Sequence, residues 1–178
     1  MKKILALGAS TSSKSINRQL AIHAANKIEG AEVTDLDLRS YKLPIYSSDE
    51  EEANGHPADA QKFLDTIKAH DALVISMAEH NGSYTAAFKN LYDWTSRIQL
   101  EVWSDRPMLL LATSPGGYGG ATVLGAAEAT FSRMGAKSVT TFSLPSFNDN
   151  FSDTDGITNP ELAEKLAQAI AQFGAALA

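Results

Sequence analysis

Short unbroken apolar runs alternate along this chain with stretches whose apolar residues recur every three or four positions. Residues 4–7 (ILAL), 72–77 (ALVISM) and 108–112 (MLLLA) are continuous runs, too short for helices, and each predicts a strand buried on both faces. Residues 31–38 (AEVTDLDL) alternate at Val33, Leu36 and Leu38, which predicts a strand with one more polar face, and 138–142 (SVTTF) predicts a last strand. Between them lie helical spacings. Ile16, Leu20, Ala24 and Ile28 follow one another at four-residue steps, with Ser15 placed to cap the helix they define. Pro57 opens a helix with a stripe at Ala60, Phe63, Leu64 and Ile67, and Pro160 opens another at Leu162, Leu166, Ala169, Ile170 and Phe173. A further helix carries Val123, Leu124, Ala127, Phe131 and Met134. The helix with Phe88, Leu91, Tyr92, Trp94 and Thr95 is too apolar for one buried stripe; core packing absorbs most of it, and the surplus suits a dimer interface. Residues 47–54 (SSDEEEAN) predict a solvated acidic loop, since four adjacent carboxylates cannot all face one metal ion.

Five strands alternating with five helices predict an α/β fold, a three-layer, doubly wound, five-stranded parallel sheet of flavodoxin-like strand order 2-1-3-4-5. No repeat or linker divides the 178 residues, so one domain over 1–178 is expected. In that topology ligands bind beyond the carboxyl ends of the strands, where loops 9–15, 78–85 and 114–121 meet. The first reads ASTSSKS. Strand, hydroxyl-rich turn and helix N-terminus together predict a phosphate site, because free backbone N–H groups and the positive helix end converge there. The triphosphate loop Gly-x-x-x-x-Gly-Lys-Ser/Thr and the dinucleotide fingerprint Gly-x-Gly-x-x-Gly are both absent; a hydroxyl-rich loop with little fixed positive charge suits a terminal monophosphate such as that of FMN, and a strand-to-helix turn with ordinary Ser capping is the alternative. The other two loops read AEHNGSYT and SPGGYGGA, and their glycines allow a flat ligand to approach the backbone.

Composition narrows the chemistry. A formal net charge of -6 and a pI near 5.1 argue against nucleic acid or anionic membrane as partners. Zero cysteines exclude disulfides, thiolate catalysis, Fe–S clusters and Cys-ligated zinc. His23, His56 and His70 have no spacing that suggests a metal site. With no membrane-length apolar run and a first strand that begins at once, a cytoplasmic protein is expected.

The second loop and the helix behind it, AEHNGSYTAAFKNLYDWTSR, resemble the NADPH-dependent FMN reductase family, which includes flavin-dependent quinone, chromate and azo-dye reductases. The matching positions are Glu79, Asn81, Gly82, Ser83, Lys89, Asn90, Asp93 and Trp94, together with Ser10, Ser15, Asn17, Leu20 and Ala21 and the Gly-Gly-x-Gly-Gly of residues 116–120. The resemblance implies FMN as cofactor, with NADPH or NADH as co-substrate. It implies FMN contacts from Ser10, Ser12, Ser15, Ile16 and Asn17 around the phosphate. Glu79, His80, Asn81, Gly82, Ser83, Ser114, Gly116, Gly117, Tyr118 and Gly119 would lie around the flavin ring. The implied chemistry is hydride transfer from nicotinamide to flavin N5 and on to a quinone-like, azo or other small acceptor, with no catalytic side chain required. A flavodoxin-like carrier or FMN-binding protein without nicotinamide turnover is the alternative. A homodimer or homotetramer is implied as well. The family's usual arginines are replaced by Ser12 and by the Ala121–Thr122 pair, and Lys14 is left to supply positive charge on the phosphate side. His80 flanks the expected flavin position, and Asp93 and Arg97 stand at i, i+4 spacing as an expected surface ion pair.

Overall fold

The computed structural model describes residues 1–177. Strand β1 (Lys2–Gly8) leads through the serine loop into helix α1 (Ile16–Asn26), and β2 (Ala31–Leu36) follows. Helices α2 (Ser48–Asn54) and α3 (Ala58–Lys68) precede β3 (Ala72–Met77). A small hairpin, β4 (Glu79–His80) and β5 (Ser83–Tyr84), comes before α4 (Ala86–Ile98). Then come β6 (Arg106–Thr113), α5 (Ala121–Phe131), β7 (Ala136–Leu144), the short α6 (Phe147–Asn150), a second small hairpin of β8 (Phe151–Ser152) and β9 (Gly156–Ile157), and α7 (Pro160–Ala175). The main sheet has five strands in the order β2-β1-β3-β6-β7, every pair parallel. That is the expected doubly wound order.

The continuous apolar runs explain the layers. Successive side chains of a strand point to opposite faces, so Ile4 and Ala6 of β1 pack with α1 and α7 residues such as Leu20, Leu166 and Phe173. Leu5 and Leu7 pack on the other face with Phe63 of α3, Phe88 of α4 and Phe131 of α5. All six residues of β3 are buried, as a central parallel strand requires.

Two expectations are corrected. Residues 48–54 form a helix rather than a loop. Ser47 Oγ accepts the Glu50 N–H as a side-chain cap, and Asp49, Glu50 and Glu51 complement the helix dipole in the first turn. The segment stays solvated, since it has no buried residue. Asp93 and Arg97 do not pair with each other: Lys89 Nζ bonds the Asp93 carboxylate at 2.7 Å, while Arg97 Nε meets Glu51 of α2 at 3.0 Å. The expected core packing of the α4 aromatic residues is found, with Phe88, Tyr92 and Trp94 all buried. Trp94 is fully buried, and its Nε1 donates to the Pro44 carbonyl at 2.8 Å, so the strap of residues 41–47 covers it. Asn90 ties the same strap from both sides, accepting from Tyr46 N and donating to Pro44 O.

Candidate functional site

The carboxyl ends of β3 and β6 are held together by one side chain from the start of α1. Asn17, in the first turn of α1, is buried; its Nδ2 donates to the Thr113 carbonyl at 3.1 Å, and its Oδ1 accepts from Ser76 Oγ at 2.7 Å and from Thr113 N at 3.1 Å. Thr85, the cap of α4, donates its hydroxyl to the Ala9 carbonyl at 2.8 Å and so fastens the hairpin region to the first loop. The three loops that sequence periodicity brings to this edge therefore rest on a buried polar frame. Such a frame is rigid because each member, left unpaired, would cost about 1–3 kcal/mol.

Above that frame lies a pocket of about 180 Å³ lined by Ser10, Ser12, Lys14, Ser15, Ile16 and Asn17 on one side and by Ala78, Glu79, His80, Thr113, Ser114 and Pro115 on the other. The hydroxyls of its serine wall are arranged alike. Ser10 Oγ accepts from Ser12 N, Ser12 Oγ from Lys14 N, and Ser15 Oγ from Arg18 N. Each oxygen thus spends a lone pair on the loop's own backbone and keeps its O–H proton to donate. Ile16 and Asn17 open α1 directly behind the Ser15 cap, where backbone N–H groups have no partner within the helix. Lys14 adds a cation with no carboxylate partner among the described residues. Arg18 does not contribute its charge here, because it forks onto Asp35 at 2.9 Å and Asp37 at 3.0 Å. Those bonds, Asp35's foremost, push its pKa up, while Arg39's hydrogen bond draws the Asp37 carboxyl far below the usual range. Convergent O–H and N–H donors with one free ammonium fit a phosphate monoester dianion.

The hairpin closes the opposite wall. Asn81 and Gly82 both have positive φ, 52° and 72°, which makes the two-residue I′ turn that an Asn-Gly pair favours. Tyr84 at its base stacks on Phe131 at 6.2 Å and tilts against Phe88 at 5.9 Å, and burial raises its phenol pKa. Glu79 reaches across to α5, where its Oε2 accepts the Val123 N–H at 2.8 Å. The α5 cap position is Gly120, which has no side chain to do this, so Glu79 serves as a cap from outside the helix.

Of the residues expected around the cofactor, Ser10, Ser12, Ser15, Ile16, Asn17, Glu79, His80 and Ser114 line the pocket. Asn81, Gly82, Ser83, Gly116, Gly117, Tyr118 and Gly119 lie beyond it on the hairpin tip and the glycine loop. Two of the expected residues also carry structural duties: Asn17's amide is spent on the frame, and Glu79's carboxylate on α5. The glycine loop divides in two. A Cβ at Gly119 would lie 2.5 Å from Ser143 Oγ and 2.9 Å from Pro145 N, and its φ is +59°, so glycine is needed there for packing. A Cβ at Gly116 would meet nothing within 4 Å, and one at Gly117 would touch only Ser146 Oγ at 4.0 Å. That half is bare backbone facing open space. Ala78, Thr113 and Pro115 also line the pocket; the sequence signal for them is their position at the carboxyl ends of β3 and β6.

A larger, mostly apolar depression of about 680 Å³ lies at the other end of the sheet, between the end of α1 and α7, where it brings together no comparable set of donors. No helix among the described residues is long and apolar enough to cross a membrane.

Comparison with known proteins agrees with the geometry. The chain superimposes on a flavoenzyme NAD(P)H:(acceptor) oxidoreductase, FerB, from Paracoccus denitrificans with a TM-score of 0.77 and 23% identity, covering 99% of this chain and 97% of that one. It superimposes on the apo form of an NADH:FMN oxidoreductase with a TM-score of 0.77 and 19% identity, covering 100% and 91%. These two likenesses show the fold. In sequence it is 33% identical to a quinone reductase of Escherichia coli (strain K12) over 79 residues, 44% of this chain and 42% of that one. It is 31% identical to an NAD(P)H-dependent FMN reductase of Pseudomonas aeruginosa over 118 residues, 66% of this chain and 62% of the relative. The chain thus spans about two fifths and three fifths of the length of these relatives. Residues 2–149 match the family model described as NADPH-dependent FMN reductase, and the chain belongs to that family.

Proposed function

We propose that this protein is an FMN-dependent NAD(P)H oxidoreductase that serves a quinone-like, azo or other small acceptor. The observation that carries the reading is the donor set at the start of α1: three serine hydroxyls whose oxygens already accept from backbone, beside the opening N–H groups of the helix. Ser10, Ser12, Ser15 and the backbone of Ile16 and Asn17 would hold the FMN phosphate, and Lys14 would balance its charge. Glu79 to Ser83, together with Ser114 to Gly117 and Gly119, would flank the ring system. FMN, when bound, supplies the redox step, taking hydride from a reduced nicotinamide and passing reducing equivalents to the acceptor. The chain's own task is orientation: Asn17 and Thr85 fix the three loops in place, and the bare backbone of Gly116 and Gly117 leaves room for a flat group to lie close.

A formal charge of -6 favours small-molecule partners over nucleic acid, and the lack of cysteine suits the cytoplasm. A homodimer or homotetramer would draw on the apolar residues left outside, Ile45 at 78% exposure and Leu100 at 68%, which flank α4. The test is the visible spectrum of the FMN-reconstituted protein under anaerobic conditions, with NADPH and then NADH added. Flavin absorbance that bleaches within seconds of either addition is the expected result. Flavin absorbance that persists would replace the reductase with an electron carrier, and failure to take up FMN at all would sink the cofactor assignment.

A further inference from the structure

Tyr118 is out of place by the standard of this protein's other aromatic residues. Of the five tyrosines, Tyr41, Tyr46, Tyr84 and Tyr92 each sit against another aromatic ring at 5.0 to 6.5 Å. The Tyr118 side chain has no ring partner and no hydrogen bond among the described residues, and the residue is 79% exposed. Exposure of a single apolar residue is ordinary. The backbone that carries this one is not loose, however.

The loop is pinned on both sides of Tyr118. Gly119 N donates to Gly116 O at 3.2 Å, Ala121 N to Tyr118 O at 3.0 Å, and Ser146 N to Gly116 O at 2.9 Å. Ser143 Oγ donates to Gly119 O at 2.9 Å. The ring therefore stands on a fixed stalk and moves chiefly about its own side-chain torsions. Its place in the chain gives the stalk a direction. Ser114 and Pro115 line the phosphate pocket, Gly116 and Gly117 follow as bare backbone open to space, and Tyr118 comes next. From the serine cradle outward the order is anion site, flat glycine floor, free aromatic ring.

We propose that Tyr118 is a specificity-determining residue for the second reactant: its ring stacks on a planar aromatic acceptor of the quinone class held over the floor. This rests on the site being an FMN site. The lining of the phosphate pocket ends at Pro115 and does not include Tyr118, and we therefore assign the ring to the second reactant and not to the cofactor. A quinone presents a flat π-face, and an aromatic pair of this kind is worth roughly a 2- to 12-fold change in affinity.

The experiment uses the full chain, with FMN affinity measured first by quenching of flavin fluorescence. The dissociation constant of a water-soluble naphthoquinone for the oxidised, FMN-loaded protein is then measured by calorimetry, where nothing is reduced and no turnover intervenes. Tyr118→Ala is expected to weaken naphthoquinone binding by roughly 2- to 12-fold while FMN affinity stays within two-fold, and Tyr118→Phe is expected to bind like the wild type. Unchanged naphthoquinone affinity in Tyr118→Ala would overturn the proposal while leaving the FMN site standing. So would an equal loss of FMN affinity, which would make the ring a cofactor contact, or a Phe variant as weak as Ala, which would assign the effect to the hydroxyl. A wild-type protein that takes up no FMN would bring down both this inference and the reading beneath it, and the fluorescence titration identifies that case on its own.

Discussion

Replacing Asn17 separates two roles that the residue could play at the same place. As a phosphate ligand it would matter only when the cofactor is present. As the buried knot described above, it supports the apo-protein: Asn17→Ala would strand Ser76 Oγ, Thr113 N–H and the Thr113 carbonyl, all in a region closed to water. Three such groups at roughly 1–1.5 kcal/mol each, near the lower end of the penalty for a buried unsatisfied group, give a loss of about 3–5 kcal/mol. For a chain of this size that corresponds to a fall in Tm of about 6–20 °C, and it is a large share of the ~5–15 kcal/mol that holds a typical domain together. The assay is equilibrium urea unfolding of the FMN-free protein. Asn17→Asp sharpens it, since a carboxylate keeps the two acceptor contacts but turns an oxygen toward the Thr113 carbonyl. That variant should be destabilised at neutral pH and recover part of the loss in mild acid, where a protonated carboxyl can donate again. An Asn17→Ala protein with wild-type urea midpoint and weakened FMN binding would refute the reasoning.

Two further outcomes are expected. Glu79→Ala removes the outside cap of α5 and should cost about 0.5–2 kcal/mol, with faster hydrogen exchange at the Val123 amide; an unchanged exchange rate would mean the bond contributes nothing. His23 lies edge-on to Phe151 and against Gly156, and burial, then the neighbouring Lys27, holds its pKa below the usual 6.5. The native state therefore favours the neutral ring: its stabilising contribution is complete above pH 6.5 and drains away as pH falls from there toward the lowered native value. His23→Phe keeps a flat ring in place and should flatten the fall in Tm between pH 7.5 and 5.5; parallel curves for the two proteins would assign the slope to other groups.

The strands that build the sheet were legible because they are central. A strand buried on both faces must be apolar throughout, so residues 4–7 and 72–77 announced themselves, and Ser15 marked the start of α1 by its chemistry. Legibility fell at the margins. The last strand runs over Ala136–Leu144 rather than 138–142, because its outward side chains are half-exposed and give no sharp edge. Helix α2 is illegible in the sequence because it has no apolar stripe: capping, acidic side chains in its first turn and the reach of Glu51 to Arg97 hold it, and the Glu51–Arg97 contact has no local signal. The hairpin of residues 79–84 has its signal in Asn81–Gly82, and its strands of two residues each are too short to show a period. Arg97 fitted Asp93 by helix spacing alone, and a partner 46 residues away prevailed. For the site, the loops and the anion-binding serines follow from strand order and side-chain type. That Asn17 and Glu79 hold the scaffold follows only from three-dimensional neighbours.

The frame beneath the pocket also bears on when the site comes into being. Its links join residues 59, 76 and 96 positions apart in the chain. None can close by local collapse, and the Asn17–Thr113 link requires β6 to have docked beside β3, after more than half of the chain has found its place. Closing loops of that length is slow relative to helix formation. The start of α1 can form early, but the walls that give it a shape arrive together with the finished sheet. A cofactor bound there recognises the native state and no partly folded precursor, so its whole binding free energy adds to folding stability by mass action.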